Sequence, residues 1–376
     1  MNVLITGGAG FIGSSLSLKL IELGYHVTVL DNLSKQIHGE FPEKSELFMR
    51  IKDKVEFIRG DVRSKEDLRG ALNGADVVFH LAAETGTGQS MYEINRYVEV
   101  NINGTANLLD ILANESNCVK KLIVASSRAV YGEGKYLCQT HGEVYPNPRL
   151  EEHLSMGDFN VKCPKCGENV EVLSTSEDSM IQPSSIYGFT KYGQESMCMI
   201  MGKALQIPVV VLRYQNVYGP GQSLKNPYTG ILSIFSTRIK NGNEINIFED
   251  GFESRDFVYI DDVVDATYRT IKSEQANYQV FNVGTGVSTT VSTVAAKLIE
   301  NYQTPVNVNI SRQYRIGDIR HNYADMANAF EKLSFIPKFS FEDGIKHFTD
   351  WVNKQEIQED NYEKAMLEMK EKGLYK

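Results

Sequence analysis

The sequence predicts an α/β protein built around a doubly wound parallel sheet, and three observations carry that prediction. Short continuous apolar runs alternate with amphipathic stretches through the first 130 residues. The first run leads without a break into a glycine-rich turn, Gly7-Gly8-Ala9-Gly10-Phe11-Ile12-Gly13. A long helical pattern after Pro183 is followed by another apolar run that ends at Arg213. Residues 2–6, 26–30, 55–58, 76–81 and 121–125 read as strands covered on both faces. Residues 14–23, 64–72 and 96–114 read as the helices between them, and 185–205 with 209–213 add a further helix and strand. Strand, helix and strand in repetition give parallel units, the Rossmann-type arrangement.

Beyond residue 214 the pattern is mixed, with a strand expected at 280–283 and a charged amphipathic helix at 356–376 whose apolar positions include Tyr362, Ala365 and Leu367. The expected division is therefore a nucleotide-binding domain over 1–214, interrupted by an insertion at 133–175, and a smaller C-terminal lobe over 215–249 and 285–376. Residues 250–284 are expected to return to the first domain. At 376 residues the chain has room for such a core and lobe, and 42% hydrophobic with 23% charged residues is ordinary for a globular protein.

The formal net charge of −9 argues against nucleic acid or an anionic membrane as partner, so an anionic ligand must be held by local arginines. No apolar run reaches the roughly 18 residues of a membrane span. The first strand leaves no room for a leader, which points to the cytoplasm, where thiols stay reduced. Cys118, Cys138, Cys163, Cys166 and Cys198 are accordingly not a disulfide framework.

Gly7, Gly10 and Gly13 recur every third residue between a strand and a helix. Such glycines serve a tight turn, close approach of backbone to a pyrophosphate, and close packing of helix on strand. The helix N-terminus then offers unpaired N–H groups to the phosphates. Asp31 follows Gly13 by 18 residues, at the end of the second strand. A carboxylate there accepts from a ribose 2′-hydroxyl and repels a 2′-phosphate, which favours NAD over NADP. Asp61, after the third strand, is placed to bond an adenine amino group, though either aspartate also suits an ordinary strand-end loop.

Tyr187 and Lys191 stand at i and i+4, on one face of the helix expected over 185–205. A lysine charge there lowers the phenol's pKa and makes tyrosinate accessible as a base, and the same ammonium can bond nicotinamide ribose hydroxyls. Tyr131 and Lys135 repeat the spacing, but Gly132 and Gly134 lie between them and oppose a helix. Ser126 and Ser127 end a strand at the carboxyl edge of the sheet, where a hydroxyl could hold a reacting oxygen. By themselves, two serines at a strand end are more often turn formers.

With these residues in hand the chain resembles the extended short-chain dehydrogenase/reductases, specifically the NAD-dependent nucleotide-sugar epimerases. The matching motifs are the glycine turn, Gly60-Asp61-Val62, His80-Leu81-Ala82-Ala83, Asn101-Ile102-Asn103-Gly104-Thr105, Ser126-Ser127-Arg128-Ala129-Val130-Tyr131-Gly132, the Tyr187–Lys191 pair, residues 213–220, Arg255-Asp256-Phe257-Val258 and Arg315-Ile316-Gly317-Asp318. The resemblance implies Tyr187 as general base and acid, Lys191 as its partner, and Ser127 as the hydroxyl on the reacting oxygen. It implies an NAD site formed by Gly7, Gly10, Phe11, Ile12, Gly13, Asp31, Asp61, Val62, Leu81, Ala82, Ala83, Asn101 and Ser126, with Tyr187 and Lys191. It gives the nucleotide sugar to Glu84, Thr85, Ser127, Arg128, Asn216, Arg255 and Arg315, with Arg320 as a further candidate. A homodimer through helices 96–114 and 185–205 is implied as well.

The family's 4,6-dehydratases carry Thr-Asp-Glu where this chain has Ser126-Ser127-Arg128. Without those carboxylates, elimination of water lacks its acid and base, so the implied reaction is transient oxidation and re-reduction at C4 of the sugar. Arg128 replaces a usually small residue. It is free to reach a substrate or cofactor phosphate, or to tie down the insertion.

The insertion holds a short repeat, Cys138-Gln139-Thr140-His141-Gly142-Glu143 and Cys163-Pro164-Lys165-Cys166-Gly167-Glu168. Two residues between ligands let one tight turn aim both side chains at one metal, and the following glycine supplies the positive φ. Cys138, His141, Cys163 and Cys166 make a closed set suited to structural zinc in a ribbon-like fold of two hairpins. A redox pair at Cys163 and Cys166 is the competing reading, and it leaves the first knuckle unexplained. His153 is an alternative to His141. Such knuckles also occur in binding proteins, but the intact Tyr187, Lys191 and Ser127 set argues against a non-catalytic role. The Ser126–Gly134 segment leading into two knuckles, with the stretch from Glu84 to Ser90, is similar to enzymes assigned as dTDP-L-rhamnose 4-epimerases. That similarity implies dTDP-6-deoxy-L-talose as product, with a UDP- or GDP-hexose as the alternative substrate.

Overall fold

Alternate residues of the central strands enter two different apolar cores. Val3 and Ile5 pack into one while Leu4 packs into the other, and Ile123 and Val210 are likewise separated from Leu122, Val124, Val209 and Val211. A sheet apolar on both faces must be covered on both, which is why the sequence shows runs rather than alternation. In the computed structural model, which describes residues 1–226, 228 and 230–376, that sheet has seven parallel strands. Their order is Gln279–Val283, Val209–Tyr214, Lys121–Ser127, Val77–His80, Asn2–Thr6, His26–Asp31, Glu56–Arg59.

Helices Phe11–Glu22 and Ile260–Lys272 cover one face, through Leu16, Leu20 and Val263. Lys65–Leu72, Gly104–Asn114 and Ile186–Leu205 cover the other, through Leu68, Leu108, Leu112 and Cys198. Strand order reverses at Asn2–Thr6, with His26–Asp31 on one side and Val77–His80 on the other. Ligand crevices open at such switch points. The helix expected over 96–114 widens into a π-type turn at Val98–Asn103, which turns Asn101 inward.

The C-terminal lobe carries a second sheet, with Asn216–Tyr218 and Ser288–Thr290 on either side of Ser254–Tyr259 and His321–Asn322 added to the latter. The segment 250–284 is thus split: Ser254–Tyr259 stays with the lobe, and only the helix Ile260–Lys272 and strand Gln279–Val283 join the first domain. The C-terminal helix is shorter than its charge pattern suggested, Tyr362–Glu371. It buries Tyr362, Ala365, Met366 and Met369, whereas Leu367 faces outward.

In the insertion, Tyr136–Cys138 and Gly142–Val144 form the first hairpin as expected. The second pair is reduced to one bridge, Lys162 with Asn169, because Glu171–Val172 pairs instead with Tyr136–Cys138. A helix at Glu151–Ser155, too short to show periodicity, also went unrecognised in the sequence. Among the described residues no helix is long and apolar enough to cross a membrane.

Phe79 is wholly buried in the larger core at the switch point. Phe79→Ala is expected to lower unfolding stability by about 3–5 kcal/mol, measured as the shift in urea midpoint at constant slope.

Candidate active site

The glycine turn is held by contacts that leave no room for side chains. Gly7 adopts φ +69°, and a Cβ on Gly13 would meet the Gly7 carbonyl oxygen and approach Gly8 Cα to 2.6 Å. Asp31 braces the turn from the neighbouring strand, accepting from the Ala9 N–H at 3.0 Å and the Leu33 N–H at 2.8 Å. Burial raises the Asp31 pKa against those bonds and the nearby His38. Asp61 accepts from Arg63 at 2.8 and 3.0 Å and from Asn32 at 2.9 Å. Burial opposes ionisation there, but those donors prevail and bring it to about 2.

Behind the turn a polar chain crosses the switch point. Thr6 Oγ1 lies 2.8 Å from His80 Nδ1, and His80 Nε2 lies 2.9 Å from Thr105 Oγ1. Gln194 Nε2 donates to Thr105 Oγ1 at 2.8 Å, and its Oε1 accepts from Lys191 Nζ at 2.7 Å. Burial, with the Lys191 charge second, pushes His80 down to about 3, and burial pushes Lys191 down to about 7.

Tyr187 opens the helix Ile186–Leu205, whose N-cap Ser185 accepts from the Gly188 N–H. Its ring sits edge-on to Tyr97 at 6.4 Å. Burial raises the phenol's pKa, while hydrogen bonding to Ser127 and the Arg128 charge pull it down. Arg128 thus adds a cation at the phenol that the helical spacing of Tyr187 and Lys191 did not suggest. The discarded Tyr131 is a core residue, donating to Asn282 Oδ1 at 2.8 Å and accepting from Arg213 at 2.8 Å.

Arg128, Arg255 and Arg315 converge beside Tyr187 with a single bridging carboxylate. Asp318 accepts from Arg255 Nη2 at 3.1 Å and from Arg315 Nη2 at 2.7 Å. Those cations hold its carboxyl far below the usual range despite burial. Arg128 Nε donates to Asn216 Oδ1 at 3.0 Å, and burial with the adjacent Arg255 lowers its pKa to about 9. The three guanidinium groups face Asp318 and the neighbouring Glu253, whose carboxyl burial pushes up to about 7, so positive charge is in excess and suits a polyphosphate.

These groups share a cavity of about 550 Å³. Its walls include Gly7, Gly10, Phe11, Ile12, Gly13, Asp31, Asp61, Val62, Leu81, Ala82, Ala83 and Ser126 at the glycine-turn end. Ser127, Arg128, Tyr187, Lys191, Glu84, Thr85, Asn216, Arg255 and Arg315 line the rest. Ser126 and Glu84 have their polar ends engaged, with Glu195 at 2.9 Å and Arg96 at 2.8 Å respectively.

Two expected residues lie elsewhere. Asn101 is fully buried behind the wall, where it bonds the Glu84 N–H at 2.8 Å and Thr190 at 2.9 Å, so it shapes the 84–85 loop rather than meeting a cofactor. Arg320 points away from the cavity and pairs with Glu249 and Asp250 at 2.9 and 2.7 Å. Sequence reasoning missed Asp318, though it lies within the Arg315 motif, and Gln194. It also missed Phe248, Tyr362 and Met366, apolar residues that only tertiary packing brings to this wall.

The insertion gathers Cys138, His141, Cys163 and Cys166 with all four ligand atoms within 4.8 Å of one another. His141 Nδ1 is 3.5 Å from Cys138 Sγ and 3.6 Å from Cys163 Sγ, and the Lys165 N–H points at Cys163 Sγ from 3.5 Å. Gly142 and Gly167 take φ of +69° and +78°, as knuckle turns require. The quartet lies outside the large cavity.

A glycine turn at a parallel-sheet switch point, a Tyr-Lys-Ser set and an arginine clamp in one cavity define a dinucleotide-binding α/β enzyme of the extended short-chain dehydrogenase/reductase class. The profile of the NAD dependent epimerase/dehydratase family matches residues 3–150 and 164–284, and the chain belongs to that family. A dTDP-L-rhamnose 4-epimerase of Burkholderia thailandensis is 35% identical over 353 residues, 93% of this chain and 94% of that protein. The UDP-glucose 4-epimerase of Thermotoga maritima, solved with UDP-glucose, superimposes with TM-score 0.76 at 32% identity, covering 94% of this chain and 99% of that one. The UDP-glucuronic acid 4-epimerase of Bacillus cereus, solved with UDP-glucuronic acid and NAD, gives 0.77 at 27% identity over the same shares.

Two outcomes follow from this geometry. Gly13→Ala is expected to abolish dinucleotide retention, read from the cofactor content of purified protein. His80 is neutral in the fold with a lowered pKa of about 3. Its contribution to stability is complete above its unfolded value near 6.5 and is lost as pH falls from there toward 3. Urea midpoints should therefore drop between pH 7 and 5, less steeply in His80→Gln.

Proposed function

We propose that the chain is an NAD-dependent nucleotide-sugar 4-epimerase, and that its substrate is dTDP-L-rhamnose, converted to dTDP-6-deoxy-L-talose. The observation carrying the reaction type is the convergence of Tyr187, Ser127 and the arginine clamp in one cavity with the glycine turn. The dinucleotide fits this end of the cavity: the turn admits no Cβ at Gly13, and Asp31 offers a carboxylate where a 2′-phosphate would be repelled. NAD held there would supply the reversible hydride chemistry that oxidation and re-reduction at C4 of the sugar require.

The chain's own residues supply the remainder. Tyr187 takes the 4-hydroxyl proton, and Ser127 holds the oxygen that becomes the keto group. Lys191, which bonds Gln194 and lines the same cavity, would bond the nicotinamide ribose. Arg128, Arg255, Arg315 and Asn216 grip the diphosphate, so the 4-keto sugar can turn about its anomeric linkage without leaving. Residues 126–128 offer no carboxylate to eliminate water. The sugar and base follow from the resemblance of the Glu84–Ser90 and Ser126–Gly134 stretches and from the Burkholderia relative, with a UDP- or GDP-hexose as the alternative.

We assign structural zinc to Cys138, His141, Cys163 and Cys166, because three thiols and one imidazole within 4.8 Å of one another supply the four donors that structural zinc takes. A redox pair leaves Cys138 and His141 unexplained. We also propose a homodimer, since Phe189 and Ile200, at 57% and 66% exposure, and the half-exposed Tyr192 form an apolar stripe on the helix Ile186–Leu205. Reduced thiols and this chemistry suit the cytoplasm.

NMR of the protein with a panel of nucleotide sugars, without added NAD, tests the reading. A C4 epimer formed from dTDP-L-rhamnose is expected. Turnover of a UDP-sugar alone would replace the substrate, and net NADH or a stable keto product would overturn epimerisation. Tyr187→Phe should lower kcat by about 10²–10⁴-fold while keeping bound cofactor. Elemental analysis should find about one zinc per chain.

A further inference from the structure

The insertion reaches the arginine clamp through two of its own charged residues, Arg149 and Glu133, whose side chains are only 4% and 3% exposed. Arg149 forks onto Glu249 at 2.7 and 2.8 Å, and its Nη2 also donates to the Asp318 carbonyl at 3.1 Å. Glu133 Oε2 accepts from the Arg320 N–H at 2.8 Å, and Glu133 Oε1 lies 3.3 Å from Arg149 Nε. On its other side the same segment is held by Arg255, which takes the carbonyls of Ile319 and Arg320 at 2.7 and 3.0 Å. Residues 318–320 are therefore clasped between the insertion and the clamp.

The network also runs toward the cysteines. The Tyr136 hydroxyl donates to Glu133 Oε2 at 3.2 Å, and Tyr136 lies on the strand Tyr136–Cys138. Arg149 Nη1 donates to the Phe159 carbonyl at 3.2 Å, four residues before Cys163. Tyr136, Cys138, Val161 and Cys163 share one apolar cluster.

We propose that Arg149 and Glu133 are positioning residues for diphosphate binding, transmitting the order of the cysteine clasp to residues 318–320. Asp318 alone bridges Arg255 and Arg315, so a shift of its main chain changes the spacing of both cations. Bidentate recognition of phosphate tolerates little such displacement. The proposal deepens the reading above, resting on the clamp as the nucleoside-diphosphate site and on the quartet as a zinc clasp.

The test is calorimetric titration of dTDP and of UDP into the NAD-bound holoenzyme, for wild type, Arg149→Lys, Tyr136→Phe and Cys163→Ser. Zinc content, bound NAD and thermal unfolding are recorded alongside. Arg149→Lys keeps a charge but loses the fork, and should weaken diphosphate binding on the order of tenfold. In steady state, KM for the nucleotide sugar should rise while kcat falls far less, and bound NAD should be retained. Tyr136→Phe removes one hydroxyl and should act in the same direction, deciding the matter if Arg149→Lys does not fold. Cys163→Ser should lose zinc and weaken the diphosphate together.

Wild-type affinity in folded, zinc-bearing Arg149→Lys and Tyr136→Phe overturns the proposal, as does a proportionate loss of NAD, which would mark general loosening. Wild type that binds neither dTDP nor UDP overturns the proposal together with the clamp reading. Weakened binding in Arg149→Lys with no zinc in wild type supports the positioning role and overturns the clasp.

Discussion

Everything in this molecule is arranged around the point where the strand order of the parallel sheet reverses, at Asn2–Thr6. The connections that follow Asn2–Thr6 and Val77–His80 lead to helices on opposite faces of the sheet, and a crevice opens at the carboxyl ends of those strands. The glycine turn leaves Asn2–Thr6 at that point, and Thr6 itself bonds His80 across the gap. Because the turn packs against the main chain of Leu81 and Ala82 without room for a Cβ on Gly7, the two strand ends are fixed as one unit. The polar chain from His80 through Thr105 and Gln194 to Lys191 extends that unit into the helix that carries Tyr187.

The electrostatics of the site follow from the dryness of that crevice. Burial raises Tyr187 above the ordinary phenol value and lowers Lys191 to about 7, so the two groups move apart and only the ammonium is brought near neutral pH. Proton transfer is efficient when such values lie near the operating pH. Arg128 and Ser127 act against burial on the phenol, so the residue that departs most from the family pattern is also in electrostatic contact with the proposed base. The same arginine meets Asn216, linking the proposed base to the proposed diphosphate clamp. An overall charge of −9 is no obstacle, because at short range the three guanidinium groups outnumber the neighbouring carboxyls of Asp318 and Glu253.

The insertion is an accessory core rather than an extended loop. It has its own three-stranded sheet, an apolar cluster containing two of its cysteines, a buried ion pair of its own between Arg149 and Glu133, and another from Arg149 to Glu249 of the lobe. A metal clasp suits a piece of this size, whose few apolar residues bury too little surface to hold it alone. Arg149 and Glu249 belong to a buried network in which Glu133 also meets Arg149 and Arg320 also meets Glu249, so each charge is compensated at a depth where an isolated one would carry a desolvation cost.

The sequence by itself determined the elements with local signatures. The glycine turn, the covered strands, the Tyr187–Lys191 helix and the paired knuckles all follow from spacing that short-range sterics and periodicity enforce. Tyr131 was set aside correctly because Gly132 and Gly134 oppose a helix, a purely local argument. Only the tertiary structure decided where long-range partners meet. Arg315 and Arg320 are five residues apart, yet one lines the cavity and the other pairs with Glu249, for Arg315 bridges to Tyr375 whereas Arg320 leads into the strand His321–Asn322 beside Ser254 and Arg255. Asn101 looked like a cofactor ligand until a π-type turn placed it behind the wall. Tyr362 and Met366 reach the cavity from near the chain's end, through packing that no local pattern encodes. Periodicity reports which face of an element is apolar, while the identity of the surface it meets depends on contacts hundreds of residues away.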